Sequence, residues 1–100
     1  MSDYGDSTYM KGGIFAVKDP DSTEDYAFNW APYLGEDVID TCEFLLPDGL
    51  TSTQEFNDDN QATIFVSGGT TGSCYRITNR IVTVGGRTLD KTIKIKVCPR

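Results

Sequence analysis

From Ile14 onward, apolar and polar positions alternate in short runs, and clusters of turn-forming residues separate the runs. Alternation with a period of two puts successive side chains on opposite faces of an extended strand. Ile14-Phe15-Ala16-Val17 is the first run, closed by Asp19-Pro20-Asp21-Ser22, where proline supplies the fixed φ of a turn. Tyr26, Phe28 and Trp30 then alternate with Ala27, Asn29 and Ala31 as far as Pro32, which cannot donate to a ladder. Between Val38 and Leu46, Cys42, Phe44 and Leu46 share one face while Thr41 and Glu43 share the other. Leu50 to Phe56 has only a weak strand pattern. Ala62, Ile64 and Val66 form the next apolar face, and in Cys74 to Val84 Tyr75, Ile77, Asn79 and Ile81 oppose Arg76, Thr78, Arg80 and Val82. Gly85-Gly86 predicts a two-residue hairpin loop with positive φ at both positions. The last run turns Leu89, Ile93, Ile95 and Val97 inward and Thr92, Lys94 and Lys96 outward, and the outward lysines suit an exposed or edge strand.

About seven strands at roughly 8–12-residue spacing, with no helical period, predict an all-β fold: a single Ig-like antiparallel β-sandwich over residues 14–100. Residues 1–13 sustain neither period and predict a flexible, extended N-terminal arm carrying Tyr4, Tyr9 and Met10. Tyr75 follows a Gly-rich turn and precedes Ile77 by two, the place of a tyrosine corner, with a plain core tyrosine as the alternative. Asn79 is the one amide among inward apolar residues, and burial requires that it be hydrogen-bonded, most simply to a neighbouring loop backbone. Cys42 and Cys74 face opposite ways by parity, so the disulfide core of antibody domains is not expected.

Charge changes the picture more than composition does. Residues 1–60 hold 14 of the 15 acidic residues against Lys11 and Lys18, and residues 61–100 hold seven Lys and Arg against Asp90. The two parts carry −12 and +6, which make up the net −6. Such a chain can make complementary contacts with copies of itself or with charged partners, or the two sets can meet inside one fold and cancel. The acidic total, and basic residues without aromatic interleaving, argue against nucleic acid. No run approaches the ~18 apolar residues of a membrane helix, and the polar, acidic start predicts folding in the cytoplasm where the chain is made, without a signal peptide. Three scattered cysteines predict reduced thiols.

Candidate chemistry is sparse. With no histidine, Ser-His-Asp and Cys-His triads are excluded and a zinc site loses its commonest ligand. Gly68-Gly69-Thr70-Thr71-Gly72 lacks the Gly-Lys-Ser/Thr ending of a phosphate loop. Asp19, Asp21, Glu24 and Asp25 form a carboxylate-rich turn that could in principle hold calcium, but their spacing does not match an EF-hand, and solvated loop carboxylates are the simpler reading. No catalytic, cofactor or metal residue is therefore assigned.

Asp25-Tyr26-Ala27-Phe28-Asn29-Trp30, Leu34-Gly35-Glu36-Asp37-Val38-Ile39 and Leu46-Pro47-Asp48-Gly49-Leu50 resemble the fiber–tail adaptor proteins of tailed bacteriophages. So do Val66 to Gly72, Tyr75-Arg76-Ile77-Thr78-Asn79-Arg80 and Gly85-Gly86-Arg87-Thr88. The resemblance spans roughly residues 15–97. It departs at Phe44, where a tryptophan is expected, and at Cys42 and Cys74, which stand at small polar positions. It implies an Ig-like virion structural protein of the tail, joining tail or neck to fibers and repeated as a ring-forming homo-oligomer. The expected partner contacts are Tyr4, Tyr9 and Met10 of the arm and Arg87 of the last hairpin, with other virion proteins as partners. The alternatives are a capsid decoration or cement protein, and a carbohydrate-binding module in which Tyr26, Trp30 or Tyr33 stacks on sugars. A buried Trp30 weighs against the second.

Overall fold

A computed structural model describes residues 14–99 and places seven strands in two sheets. In chain order these are β1 (Ile14–Lys18), β2 (Glu24–Asn29), β3 (Ile39–Leu45), β4 (Leu50–Asn57), β5 (Gln61–Gly68), β6 (Cys74–Thr83) and β7 (Thr88–Val97). One sheet has the order β1-β7-β6-β3, and the other β2-β5-β4. The inward faces pack Phe28, Leu50, Ala62, Ile64, Val66, Ile77, Ile81, Ile93, Ile95 and Val97 into one core. Alternation in the sequence therefore reads out directly as a sandwich.

Four local features differ from the pattern-based reading. The pairing of β1 with β7 is parallel, Ile14 opposite Ile93 and Lys18 opposite Val97, so among the described residues the sandwich is antiparallel in all pairs but one. That pairing makes β7 an interior strand, and its outward lysines mark an exposed face instead of an edge. The segment from Leu50 is a full eight-residue strand. The aromatic alternation of β2 stops at Asn29, and a single helical turn, α1 (Ala31–Leu34), follows. Asn29 Oδ1 accepts the Ala31 N–H at 3.1 Å, which leads the chain out of the ladder, and Pro32 sits in the first turn, where its missing N–H costs nothing.

The last hairpin also differs. Thr83 N–H donates to Arg87 C=O at 2.8 Å, so the loop has three residues, Val84 to Gly86. Only Gly86 takes positive φ, at 94°. This is the turn-plus-left-handed-residue form of hairpin. Gly85 is required for a different reason. A Cβ there would stand 2.8 Å from an Asp37 carboxylate oxygen.

Candidate interaction surfaces

The sandwich presents a loop end, two outer sheet faces and its lateral edges. The loop end is assembled around Trp30, which is 2% exposed. Its Nε1–H donates to Asn79 Oδ1 at 2.7 Å, and the Asn79 amide donates to Glu43 C=O at 3.0 Å and contacts Cys42 Sγ at 3.3 Å. Asn79 is thus inward and satisfied, as its position in the alternation requires. It pins an indole and the β3 backbone instead of a loop. Burial pushes the Cys42 thiol up, and Asn79 partly offsets this. Cys42 is partly buried, whereas Cys74 is exposed on the opposite face.

Above Trp30 lies Tyr33, edge-on at 5.7 Å between ring centroids, with 45% of its surface exposed. Lys91 Nζ sits 5.1 Å from the Tyr33 ring centre and 5.7 Å from that of Trp30. Arg87 fastens the hairpin to the same segment. Its guanidinium donates to Tyr33 C=O at 3.2 Å and Leu34 C=O at 3.3 Å, and pairs with Asp37 Oδ2 at 3.2 Å. Asp37 receives more than the ion pair: Gly85 N–H at 2.9 Å and Val38 N–H at 3.0 Å both reach its Oδ1. Hydrogen bonding from the Thr83 hydroxyl, then from these N–H groups and Arg87, outweighs partial desolvation and lowers its pKa to about 2.

At the opposite end, the Tyr75 hydroxyl accepts the Thr70 N–H at 2.9 Å, five residues upstream. That is the tyrosine corner, and hydrogen bonding from the Thr70 side chain, then from its N–H, lowers the Tyr75 pKa. Nearby, Lys18 is fully buried, with Nζ donating to the carbonyls of Asp19 (2.9 Å), Ser22 (2.6 Å) and Gly68 (2.7 Å). The carboxylates of this turn serve the turn itself. Asp19 Oδ1 accepts the Asp21 N–H at 2.8 Å, and Glu24 accepts the Ser22 hydroxyl at 2.7 Å.

The two outer faces differ in character. On the smaller sheet, Phe56 and Phe65 pair at 6.3 Å, with Phe56 half-exposed. On the larger sheet, the β6–β7 ladder carries Arg76 opposite Lys94, Thr78 opposite Thr92 and Arg80 opposite Asp90. The Arg80–Asp90 pair is bidentate at 2.8 and 3.0 Å.

Of the residues expected to touch partners, Tyr4, Tyr9 and Met10 lie outside the described residues. Arg87 is described, and it is both partly exposed and tied to Asp37. The burial of Trp30 removes that ring from the carbohydrate-module alternative, while Tyr33 stays exposed. In the sequence Tyr33 stands out only as a candidate sugar-stacking residue. The Ala-Pro-Tyr-Leu tetrapeptide after a strand was the available signal that a helical turn lifts it outward.

The model of a family described as podophage GP4 fiber-tail adaptor protein gp77 matches residues 18–96. The chain belongs to this family. Among solved structures it is similar to the solution structure of the PKD domain from KIAA 1837 protein, at 13% identity and TM-score 0.55, covering 96% of this chain and 94% of that one. This likeness shows the Ig-like sandwich fold. A 2,6-sialyltransferase of Vibrionaceae Photobacterium sp. JT-ISH-224 is matched at 10% identity and TM-score 0.48, over 90% of this chain but 19% of that enzyme, and carries no information on activity. No curated protein matches the chain. The family makes this a structural phage adaptor of the virion tail, and implies binding to other virion proteins such as tail and fibre. Among the described residues no helix is long and apolar enough to cross a membrane.

Proposed function

We propose that this chain is a non-enzymatic linker that joins the phage tail or neck to fibers by static docking, repeated around a symmetric ring. Family membership across residues 18–96 supports the adaptor role. The observation that carries the docking mechanism is the clamped loop end. Arg87, Asp37, Lys91 and Trp30 hold Tyr33 and the last hairpin in one arrangement, so an exposed aromatic and an arginine are presented with little freedom left to lose on binding. In this reading Tyr33 and the outer side of Arg87 form one contact. The arm, residues 1–13 with Tyr4, Tyr9 and Met10, forms a second that orders on assembly. The host cytoplasm is where the chain folds before it joins the particle.

The test is a phage carrying a deletion of residues 1–13. The truncated chain is expected to melt at the same temperature as the intact one and to be missing from particles. Its normal incorporation would remove the arm from the mechanism. Cryo-electron microscopy of the particle is expected to place a seven-stranded sandwich at the tail–fiber junction, and density on the capsid faces would overturn the adaptor reading in favour of a decoration protein.

A further inference from the structure

The outer face of the β6–β7 ladder has an arrangement that folding alone does not favour. Arg76 and Lys94 stand directly opposite one another, with Lys96 one step along the same face. Like charges in directly opposed positions destabilise a sheet. All three side chains are exposed, and among the described residues none has a carboxylate within ion-pair distance. The next carboxylate on the ladder, Asp90, is already held by Arg80. Arg76 and Lys94, with the hydrogen-bonded pair Thr78 and Thr92 one ladder step along, line an open trough of about 450 Å³. Short hydroxyl side chains beside a pair of long cationic ones make a surface on which a carboxylate can settle with both charge and hydrogen-bond partners.

The same chain carries the complement. Glu36, Asp40, Asp58 and Asp59 are exposed at the loop end. Ile39 N–H donates to Asp59 C=O at 2.9 Å, which brings the Asp58-Asp59 turn beside Asp40. The cations of that end are committed elsewhere, Arg87 to Asp37 and Lys91 to the rings of Trp30 and Tyr33 and to Asn29 C=O. Thr83 pairs with Ile39 at this end, seven residues along β6 from Arg76 and so about 23 Å away at the rise of a strand. An acidic tip at that distance on a rigid sandwich cannot fold onto its own trough. It can reach the trough of a second molecule.

We infer that the Arg76–Lys94 trough is a docking surface for the Asp58-Asp59 end of a second copy of this chain. The contact is heterologous: each copy offers both surfaces, so copies add head to tail and close into a ring where the rotation permits. Nucleic acid fits less well, because three cations over two ladder steps give no phosphate track and the chain as a whole carries −6. The inference deepens the ring proposed above by naming the two surfaces that meet.

The experiment is sedimentation velocity on the full chain over a concentration series. It compares the wild type, the double variant Arg76→Glu/Lys94→Glu and the double variant Asp58→Lys/Asp59→Lys. All four positions are exposed, and unchanged circular dichroism melts verify folding. The wild type is expected to self-associate at about 0.01 M salt and to weaken about tenfold or more by about 0.3 M, as exposed charges are screened. Each double variant alone is expected to stay monomeric, because its trough and tip now carry the same sign. An equimolar mixture of the two is expected to associate again. A wild type that stays monomeric at low salt, or a mixture that stays monomeric while the wild type associates, overturns the assignment of these surfaces. Such a result leaves the adaptor reading standing, since that reading is decided by incorporation into particles.

Discussion

Two buried polar side chains hold the ends of this sandwich, and they differ in how far the sequence announces them. Asn79 is legible, being the only amide in a row of inward apolar residues on β6. What was not legible is its partner set, because Trp30 and Glu43 lie 49 and 36 residues away. Replacing Asn79 by Leu takes the amide partner from the buried Trp30 N–H and the part-buried Glu43 carbonyl, an expected loss of about 2–4 kcal/mol in urea unfolding. A loss under about 1 kcal/mol would mean that water replaces the amide. Lys18 gives no signal at all. A lysine at the end of a strand reads as a solvated terminus, and its three carbonyl acceptors come together only when the Asp19–Ser22 turn meets the end of β5. Lys18→Met keeps the aliphatic stem and removes the ammonium, so three carbonyls lose a charged donor. The expected cost is about 3 kcal/mol, read as a fall in the unfolding midpoint, and an unchanged midpoint would show that the ammonium contributes nothing net.

At the scale of elements, the strands most visible in the sequence are those whose two faces differ most: β5, β6 and β7. The strand from Leu50 was nearly lost, and the reason is a register shift between Ser52 and Gln54. Ahead of it Leu50 and Ser52 share one phase. Beyond it Glu55 is opposite the buried Ile64, so the period of two breaks in the middle and neither half is long enough to stand out. The partner of β1 was equally hidden, since alternation identifies a face but not a neighbour. The same bulge has a second consequence. It lies on an edge strand, and Glu55 beyond it points toward Cys42 and Phe44 across a cleft of about 130 Å³. The β3 edge carries a matching irregularity between Ile39 and Thr41, and the β1 edge ends in the inward Lys18. Bulges and inward charges are means by which edge strands avoid pairing with other chains. At these three edges, contacts in an assembly then fall to loops and faces. Glu55→Val is expected to raise the aggregated fraction after heating, measured by light scattering, while a variant that stays as soluble as the wild type would show that the bulge alone protects this edge.

For the whole molecule, the two halves of the charge pattern meet in part, in the Arg87–Asp37 pair, while among the described residues Arg76, Lys94 and Lys96 stand on one outer face without a carboxylate partner and Glu36, Asp40, Asp58 and Asp59 are exposed at the loop end. The sequence could not distinguish these outcomes, because the pairing of strands distant in the chain decides them. The same holds for the loop-end clamp, in which Arg87 and Asp37 are 50 residues apart and meet only because the β6–β7 hairpin folds over the turn after β2. Its strength depends on pH with a definite sign. Asp37 titrates at about 2 in the folded chain, against an ordinary value of 3.8. Between those values the unfolded chain binds more protons than the folded one. The contribution of Asp37 is therefore fully present above about pH 4 and drains away as the pH falls toward 2. Asp90, lowered by its bonds to Arg80, acts in the same direction on the β6–β7 ladder. Asp37→Asn removes the ionisable group but keeps a similar shape, so its stability should fall less steeply than that of the wild type between pH 4 and pH 2, compared by urea unfolding at each pH. Parallel curves would mean that the clamp holds as well without the charge, and the rigid presentation of Tyr33 and the last hairpin would then rest on Trp30, Lys91 and the carbonyl bonds of Arg87.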